Sequence, residues 1–248
     1  MDMKAVVLAA GKGTRLKTEG VDLPKVMREA LGQPLLHYVL QAIDFIPPAD
    51  TVIVVGYQKE SVIAHFPGYV FAEQTEQLGT GHAVMAARDA LGTGDFPVLV
   101  CYGDMPLLRR ETYENLVAIH LAEQNVCTIL TGTTNLELPF GRIVRDANGR
   151  FQEVVEDRDC TPEQKAIREL NVGVYVFQSG ALLPALSRLG CANSQGEYYL
   201  TDVPAILRDQ GDRIGICKRD LGEEIIGVNT VEQLHEVEGF LKERAETK

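Results

Sequence analysis

A glycine turn close to the N-terminus, Gly11-Lys12-Gly13-Thr14-Arg15, follows an apolar run over Met3 to Ala9. Glycine leaves the backbone N–H groups open to an anion, and Lys12 and Arg15 add positive charge beside them. These residue types predict a phosphate-binding turn. The spacing excludes two common phosphate motifs, because the P-loop Gly-Lys-Ser/Thr is absent and Leu16 stands where a dinucleotide fingerprint has its third glycine. An ordinary strand-to-helix turn is the alternative interpretation.

Asp104 is a second candidate functional residue, because it follows the apolar run Pro97 to Tyr102. Its carboxylate is expected to point into the crevice at the end of a buried strand. Magnesium beside substrate phosphates usually takes one or two protein carboxylates, so the sequence predicts a metal ligand here. An Asx turn between Gly103 and Pro106 is the alternative role.

A polar loop with Gln74 and Gln77 follows a short strand predicted over Tyr69 to Ala72. Side-chain amides carry the donors and acceptors that a base edge requires. The loop precedes a helix, and this is where open α/β sheets bind ligands. Thr80 is predicted to cap that helix, which continues through Leu91. Solvated loop amides are the alternative interpretation of the two glutamines.

Composition limits the classes of function open to the 248 residues. A formal net charge of −11 argues against a protein that tracks nucleic-acid phosphates. No apolar run reaches membrane-spanning length, and the first strand begins without a signal-peptide pattern, so we expect a cytoplasmic protein without membrane insertion. The five cysteines are odd in number and widely spaced, which indicates neither a disulfide framework nor a zinc site.

Apolar periodicity predicts an α/β fold with a Rossmann-like, mostly parallel mixed sheet flanked by helices. Period-two alternation on either side of Asn148-Gly149 predicts an antiparallel hairpin excursion. We expect one domain over residues 1–248, with halves 1–133 and 134–229 and a last helix over 230–248. Strands are predicted at Met3–Ala9, Thr51–Val55, Tyr69–Ala72, Pro97–Tyr102, Val126–Thr131, Gly141–Arg145, Phe151–Glu156, Asn171–Phe177, Arg213–Cys217 and Glu224–Val228.

Seven motifs in order resemble the sugar-nucleotide pyrophosphorylases, and most closely the uridylyltransferases that use N-acetylglucosamine 1-phosphate. The resemblance covers residues 4 to about 232 and implies the nucleotide-diphospho-sugar transferase type of fold. The motifs are Leu8-Ala9-Ala10-Gly11-Lys12-Gly13-Thr14-Arg15, Leu23-Pro24-Lys25, Gln77-Leu78-Gly79-Thr80-Gly81-His82-Ala83, Tyr102-Gly103-Asp104, Gly141-Arg142-Ile143-Val144-Arg145, Gly196-Glu197-Tyr198-Tyr199-Leu200-Thr201-Asp202 and Gly227-Val228-Asn229.

The resemblance implies a reaction between UTP and a sugar 1-phosphate, with pyrophosphate leaving and Mg²⁺ as cofactor. It implies that Arg15 and Lys25 face the phosphates and that Asp104 and Asn229 bind the metal ion. The implied nucleotide-binding residues are Leu8, Ala10, Gly11, Gly13, Gln74, Gly79, Thr80 and Tyr102, and the implied sugar-binding residues are Gly141, Glu156, Asn171 and Tyr199.

The sequence departs from the family pattern at three places. Residues 19–21 lengthen the segment between Arg15 and Lys25, and Val172 replaces a usual hydroxyl residue. No hexapeptide repeats follow the last helix, so we expect no acetyltransferase activity. Glucose or galactosamine 1-phosphate, a thymidine nucleotide, and a non-catalytic sugar-nucleotide sensor stay open as alternatives. The oligomeric state is also open.

Overall fold

The computed structural model describes residues 3–13, 16, 23–133 and 138–246. The strands of this part are β1 (Lys4–Leu8), β2 (Glu29–Ala30), β3 (Gln33–Pro34), β4 (Thr51–Val55), β5 (Val70–Glu73), β6 (Pro97–Tyr102), β7 (Cys127–Thr133), β8 (Arg142–Arg145), β9 (Phe151–Val155), β10 (Glu169–Gln178) and β11 (Ile214–Asp220). The α-helices are α1 (Leu35–Ala42), α2 (Lys59–His65), α3 (Thr80–Ala86), α4 (Arg88–Leu91), α5 (Arg110–Ala122), α6 (Pro162–Lys165), α7 (Ser179–Leu186), α8 (Val203–Asp209) and α9 (Val231–Glu246).

One mixed sheet runs through the molecule in the order β11-β7-β10-β6-β1-β4-β5. Strand β1 is parallel to both β4 and β6, β4 is parallel to β5, and β11 is parallel to β7. Strand β10 is antiparallel to its two neighbours, β6 and β7. The hairpin β8–β9 joins this sheet through β10. The predicted mostly parallel sheet with an antiparallel hairpin is therefore confirmed.

Side chains of β1 alternate between two apolar layers, because successive residues of a strand point to opposite faces. Ala5 and Val7 pack with residues of α1, α2 and α5 on one face. Val6 and Leu8 pack with residues of α3, α4, α7 and α8 on the other. The sheet is thus covered by helices on both sides, which explains why its strands are apolar runs.

A third apolar cluster lies outside these layers and attaches the last helix. Leu234, Val237 and Leu241 of α9 pack with Ala30 of the β2–β3 hairpin and with Val228. The apolar side of the last helix therefore faces this hairpin.

Two predicted elements are wrong. Residues Glu224–Val228 do not form a strand, because Gly222–Ile225 is a 3-10 turn, and Val228 makes a backbone hydrogen bond to the Asp104 carbonyl rather than joining a ladder. The helix predicted from Thr80 to Leu91 is two helices that meet at Ala87.

Cys101, Cys127 and Cys217 are buried. In the described ranges, none of the helices combines the length and the apolar character that crossing a membrane requires.

Candidate functional site

A cavity of about 240 Å³ opens where β1, β5 and β6 end. This edge carries the carboxyl ends of three parallel strands, which is the ligand-binding position of open α/β sheets. Nine predicted site residues line it. The lining residues are Leu8, Ala10, Gly11, Lys25, Val26, Gln74, Gln77, Gly79, Thr80, Ala83, Tyr102, Asp104 and Glu197.

The glycine turn packs directly against the segment that carries Lys25. Gly13 has a φ of +64°, and a Cβ added there would lie 2.7 Å from the Lys25 Cβ. Glycine is required at this position by both the backbone angle and the close approach. Lys12 holds its ammonium 5.9 Å from the centre of the Tyr57 ring. Arg15, the other cation predicted for this turn, lies outside the described residues, as do residues 17–22.

The Lys25 ammonium joins the two predicted metal ligands. It forms an ion pair with Asp104 Oδ2 and donates a hydrogen bond of 2.8 Å to Asn229 Oδ1. The Lys25 and Asp104 side chains are 14% and 20% exposed, so the contact is largely shielded from solvent. Two residues about 125 positions apart in sequence therefore present oxygens to one cation.

Backbone hydrogen bonds bring these oxygens together. The Val228 N–H donates to the Asp104 carbonyl at 3.0 Å, and the Gly103 N–H donates to the Leu8 carbonyl at 3.0 Å. Asn229 then stands just before α9, where its own N–H donates to Gln233 Oε1 at 2.7 Å. Asp104 thus follows a strand, as predicted, whereas Asn229 is placed by a turn and the start of a helix.

The loop between β5 and α3 is ordered by Gln74. This side chain is 4% exposed, and its Nε2 donates to the Gly79 carbonyl at 3.0 Å and lies 3.2 Å from His82 Nδ1. Gly79 has a φ of +107°, and a Cβ there would lie 2.6 Å from the Tyr198 carbonyl oxygen. The buried amide therefore fixes a loop that packs tightly on the segment around Tyr198.

Thr80 does not cap α3 through its side chain, contrary to the prediction, because its Oγ1 accepts a hydrogen bond of 3.0 Å from the Leu200 N–H. Two further backbone bonds of 2.8 Å join the same segments, from Gly81 to the Tyr198 carbonyl and from Tyr198 to the Leu78 carbonyl. The hydroxyl that could have satisfied the helix end is used to hold a distant segment.

Tyr102 lies between the predicted nucleotide end and the predicted sugar end of the site. Its ring packs over Gly173, where an added Cβ would lie 2.1 Å from the Tyr102 Cε2. Its hydroxyl hydrogen-bonds with Thr80, and burial together with the charges of Glu156 and Asp104 raises its pKa well above the usual value. Tyr102 is therefore neutral and within electrostatic range of carboxylates at both ends.

Gly141 and Asn171 lie next to each other, since the Asn171 N–H donates to the Gly141 carbonyl at 2.8 Å. The Asn171 Oδ1 accepts hydrogen bonds from the Gly173 N–H at 3.2 Å and the Tyr175 hydroxyl at 2.9 Å. Val172, the departure from the family pattern, packs in an apolar layer of the core. A hydroxyl residue at position 172 would therefore face this apolar layer rather than the space beside Asn171.

Glu156 is partly buried and lies near other acidic groups. Its Oε1 accepts a hydrogen bond of 3.0 Å from the Thr201 hydroxyl. Burial raises the pKa of Glu156, and the carboxylates of Asp202, Asp159 and Asp157 raise it further, while the Thr201 hydrogen bond lowers it.

The Tyr199 hydroxyl lies apart from the cavity and joins two loops. It donates to Asp159 Oδ2 at 3.3 Å and accepts from Gln195 Nε2 at 3.2 Å.

Sequence reasoning left several residues out of the predicted site. Val26, Ala83 and Glu197 line the cavity, and Gln77, considered only for a base edge, also lines it. The position of Gly173 was predictable in principle, because a glycine inside an apolar strand often marks a bulge or a close approach of another group. The register of β10 against β7 does shift between Asn171 and Tyr175.

The described residues contain no group of three or more His, Cys, Asp or Glu side chains placed to hold a metal ion. A metal ion beside Asp104 and Asn229 would therefore need ligands from outside the protein, such as water or phosphate oxygens. Mg²⁺ is commonly bound in this way.

The model of the MobA-like NTP transferase domain matches residues 5–206 of the chain. The bifunctional protein GlmU of Streptococcus suis (strain 98HAH33) is 42% identical over 245 residues, which is 98% of this chain and 53% of that protein. The chain thus spans about half the length of this relative.

Two solved structures share the fold at 18% sequence identity. A UDP-glucose pyrophosphorylase complexed with UDP-glucose aligns with a TM-score of 0.76 over 98% of this chain and 100% of that chain. A putative glucose-1-phosphate thymidylyltransferase from Bacillus anthracis, in complex with a sucrose, aligns with a TM-score of 0.72 over 96% and 94%.

Proposed function

The chain belongs to the MobA-like NTP transferase domain family, and from this premise we propose that it condenses UTP with N-acetylglucosamine 1-phosphate. The products are UDP-N-acetylglucosamine and pyrophosphate. The observation that carries the proposal is the meeting of Lys25, Asp104 and Asn229 at the cavity beside the glycine turn. The 42% identity to a bifunctional protein GlmU supports the choice of substrates.

In the proposed reaction an oxygen of the sugar 1-phosphate attacks the α-phosphorus of UTP. One bond forms between this oxygen and the α-phosphorus, and the bond from the α-phosphorus to the oxygen that bridges to the β-phosphorus breaks. The electron pair of the broken bond leaves with pyrophosphate. The attacking phosphate is already anionic at neutral pH, so the reaction needs positioning and charge compensation rather than a strong general base.

The protein groups around the cavity suit these two tasks. The open backbone of Gly11 lies at the end of β1, and Lys25 supplies a cation beside it. We propose that Lys25, and Arg15 with it, face the UTP phosphates. Gln74 and Gln77 are the side-chain amides that we assign to the base edge, with Gly79 and Thr80 beside the ribose.

Asp104 and Asn229 would hold Mg²⁺. The fit is supported by the ammonium that already bridges their oxygens and by the preference of Mg²⁺ for oxygen ligands. When bound, the ion offsets negative charge on the phosphates during transfer. Residues 1–133 then form the nucleotide-binding half in this proposal, and residues 134–229 form the sugar-binding half.

For the sugar end we propose Gly141, Glu156 and Asn171, with Tyr199 as a further contact. Glu156 is a hydrogen-bond acceptor, and sugar hydroxyl groups are donors. Sites built on such polar contacts reject a partner that lacks the required group more strongly than apolar pockets reject an extra methylene. These residues should therefore determine the selectivity for the N-acetylated sugar.

A pyrophosphate-release assay with UTP or dTTP and a panel of sugar 1-phosphates tests the proposal. We expect the highest kcat/KM for UTP with N-acetylglucosamine 1-phosphate. A higher value for glucose 1-phosphate, galactosamine 1-phosphate or dTTP would refute the substrate assignment. Tight binding of UDP-N-acetylglucosamine without turnover of any pair would identify a sensor instead.

The metal assignment is tested by Asp104→Asn, which keeps the shape of the side chain and removes its charge. We expect kcat/KM to fall by about a hundredfold or more, because metal charge stabilisation contributes several kcal/mol. Asp44→Asn is the matched control, since Asp44 is also paired with a cation, Arg110, but lies away from the cavity. Near-normal turnover of Asp104→Asn would refute the assignment.

A further inference from the structure

Thr201 has a buried hydroxyl that is directed at a carboxylate of the proposed sugar end. The residue is 1% exposed, and its Oγ1 donates to Glu156 Oε1 at 3.0 Å. Building on the proposed function, we propose that Thr201 is a positioning residue that holds Glu156 as a hydrogen-bond acceptor for the sugar.

The surroundings of Glu156 explain why such a donor is needed. Burial and neighbouring negative charges all oppose the ionised form of Glu156, and the Thr201 hydrogen bond favours it. A hydroxyl favours the carboxylate without bringing a positive charge that would compete for the sugar phosphate. The titratable groups in range of Glu156 are Asp157, Asp159, Cys160, Asp202, Tyr102 and Tyr175, and Arg142 beside Asp157 is the nearby cation.

The position of Thr201 is itself fixed from the nucleotide side. Thr201 belongs to the 3-10 turn Leu200–Asp202, and the N–H of Leu200 donates to Thr80 Oγ1 at 3.0 Å. Thr80 lines the cavity, so a short series of hydrogen bonds runs from the nucleotide loop through this turn to Glu156. The backbone that carries Thr201 is therefore held in place, so its hydroxyl can orient the carboxylate of Glu156.

Loss of the Thr201 hydroxyl should weaken sugar binding in a pH-dependent way. Without this donor the pKa of Glu156 rises further, so a larger share of the side chain is protonated at mildly acidic pH. A protonated or rotated carboxyl group is a poorer acceptor for the sugar hydroxyl. The KM for the sugar 1-phosphate should rise, and it should rise most at acidic pH, while the KM for UTP stays close to that of the wild type.

The test compares Thr201→Val, Thr201→Ala and Thr201→Ser in steady-state kinetics from mildly acidic to neutral pH. We expect the valine and alanine variants to raise the KM for the sugar 1-phosphate about tenfold, which corresponds to about 1.4 kcal/mol. Serine keeps the hydroxyl and should restore most of the affinity. Thr112→Val is the matched control, because Thr112 is also buried and donates to a glutamate, Glu224 Oε2, at 2.6 Å.

A second arm combines these variants with Glu156→Gln. If Thr201 acts through Glu156, removal of its hydroxyl should have little further effect once the carboxylate is gone, because the two residues form one coupled pair. Additive effects on the sugar KM would overturn the proposal. So would an unchanged sugar KM, a serine variant without rescue, or equal losses for both substrates at every pH. A wild-type chain inactive with every pair refutes the proposed function and this inference with it, whereas an active wild type with a normal valine variant refutes the inference alone.

Discussion

Replacing Lys25 by methionine is expected to change metal binding and turnover in opposite directions. The Lys25 ammonium lies between Asp104 and Asn229, and it contacts the two oxygens that we assign to Mg²⁺. The ammonium and the metal ion therefore compete for the same place in the nucleotide-free protein. Methionine keeps much of the length and apolar character of the lysine stem and removes its charge.

The size of the effect follows from the charge that is removed. Two unit charges about 4 Å apart interact by about 1 kcal/mol in water and about 4 kcal/mol at an effective dielectric constant of about 20. The pocket is partly shielded, so an intermediate value of about 1.5 to 3 kcal/mol applies, which is roughly a ten- to hundredfold gain in metal affinity. Turnover should fall by about tenfold or more, because the phosphates lose a charge-assisted hydrogen bond of about 1.5 to 3 kcal/mol.

Mn²⁺ titration of the nucleotide-free protein, followed by electron paramagnetic resonance, measures the first effect, and pyrophosphate release measures the second. Lys59→Met is the matched control, since it also removes a lysine paired with a carboxylate, that of Glu73, and should leave Mn²⁺ affinity unchanged. Equal or weaker Mn²⁺ binding by Lys25→Met would refute the competition. In that case the metal ion does not use the oxygens of Asp104 and Asn229.

Gly173→Ala should lower the free energy of unfolding by about 2 to 4 kcal/mol, because a Cβ there meets the Tyr102 ring and φ is +81°. Urea denaturation checks this against Gly190→Ala, which has open space around it, and equal stability of the two variants would contradict the reasoning. Glu223→Gln should destabilise the protein at neutral pH only. Burial opposes ionisation of Glu223, but a backbone hydrogen bond and the guanidinium groups of Arg244 and Arg109 lower its pKa from 4.5 to about 2. A carboxyl group whose pKa is lowered by folding stabilises the protein above its unfolded pKa of 4.5, and this stability is lost as the pH falls from 4.5 toward 2. The difference in Tm between variant and wild type should therefore disappear over this pH range. A constant difference would contradict the assignment.

The framework of the site was predictable because its strands carry local signals. Thr51–Val55 and Pro97–Tyr102 were predicted with the observed bounds, since both are apolar runs ended by turn residues. The position of Asp104 follows directly from the second run. The helix ends were less predictable. Thr80 is a good N-cap by residue type, but its hydroxyl bonds the distant Leu200 N–H.

Asn229 lies near Asp104, as expected, although the strand predicted to precede it does not form. Residues Ile225, Ile226 and Val228 are buried, which gives this segment the apolar pattern of a strand. Their burial comes instead from packing against the last helix and the core, with one backbone bond to Asp104. An apolar sequence pattern predicts that a segment is buried. It does not predict which groups the backbone of that segment hydrogen-bonds. The ion pair between Lys25 and Asp104, 79 residues apart, has no local signal at all.

The third apolar cluster determines when the site can be completed as the chain is made. The residues of β1, of β6 and of the loop after β5 that line the cavity all precede residue 105. Asn229 instead lies next to α9, whose apolar side chains pack against Ala30 and Leu35. Chains begin to fold from the N-terminus during synthesis. A nascent chain therefore contains most of the residues that line the cavity well before it contains the amide oxygen of Asn229. Docking of the last helix then places the Asn229 amide beside Lys25 and Asp104, which is the arrangement that the proposed metal site requires.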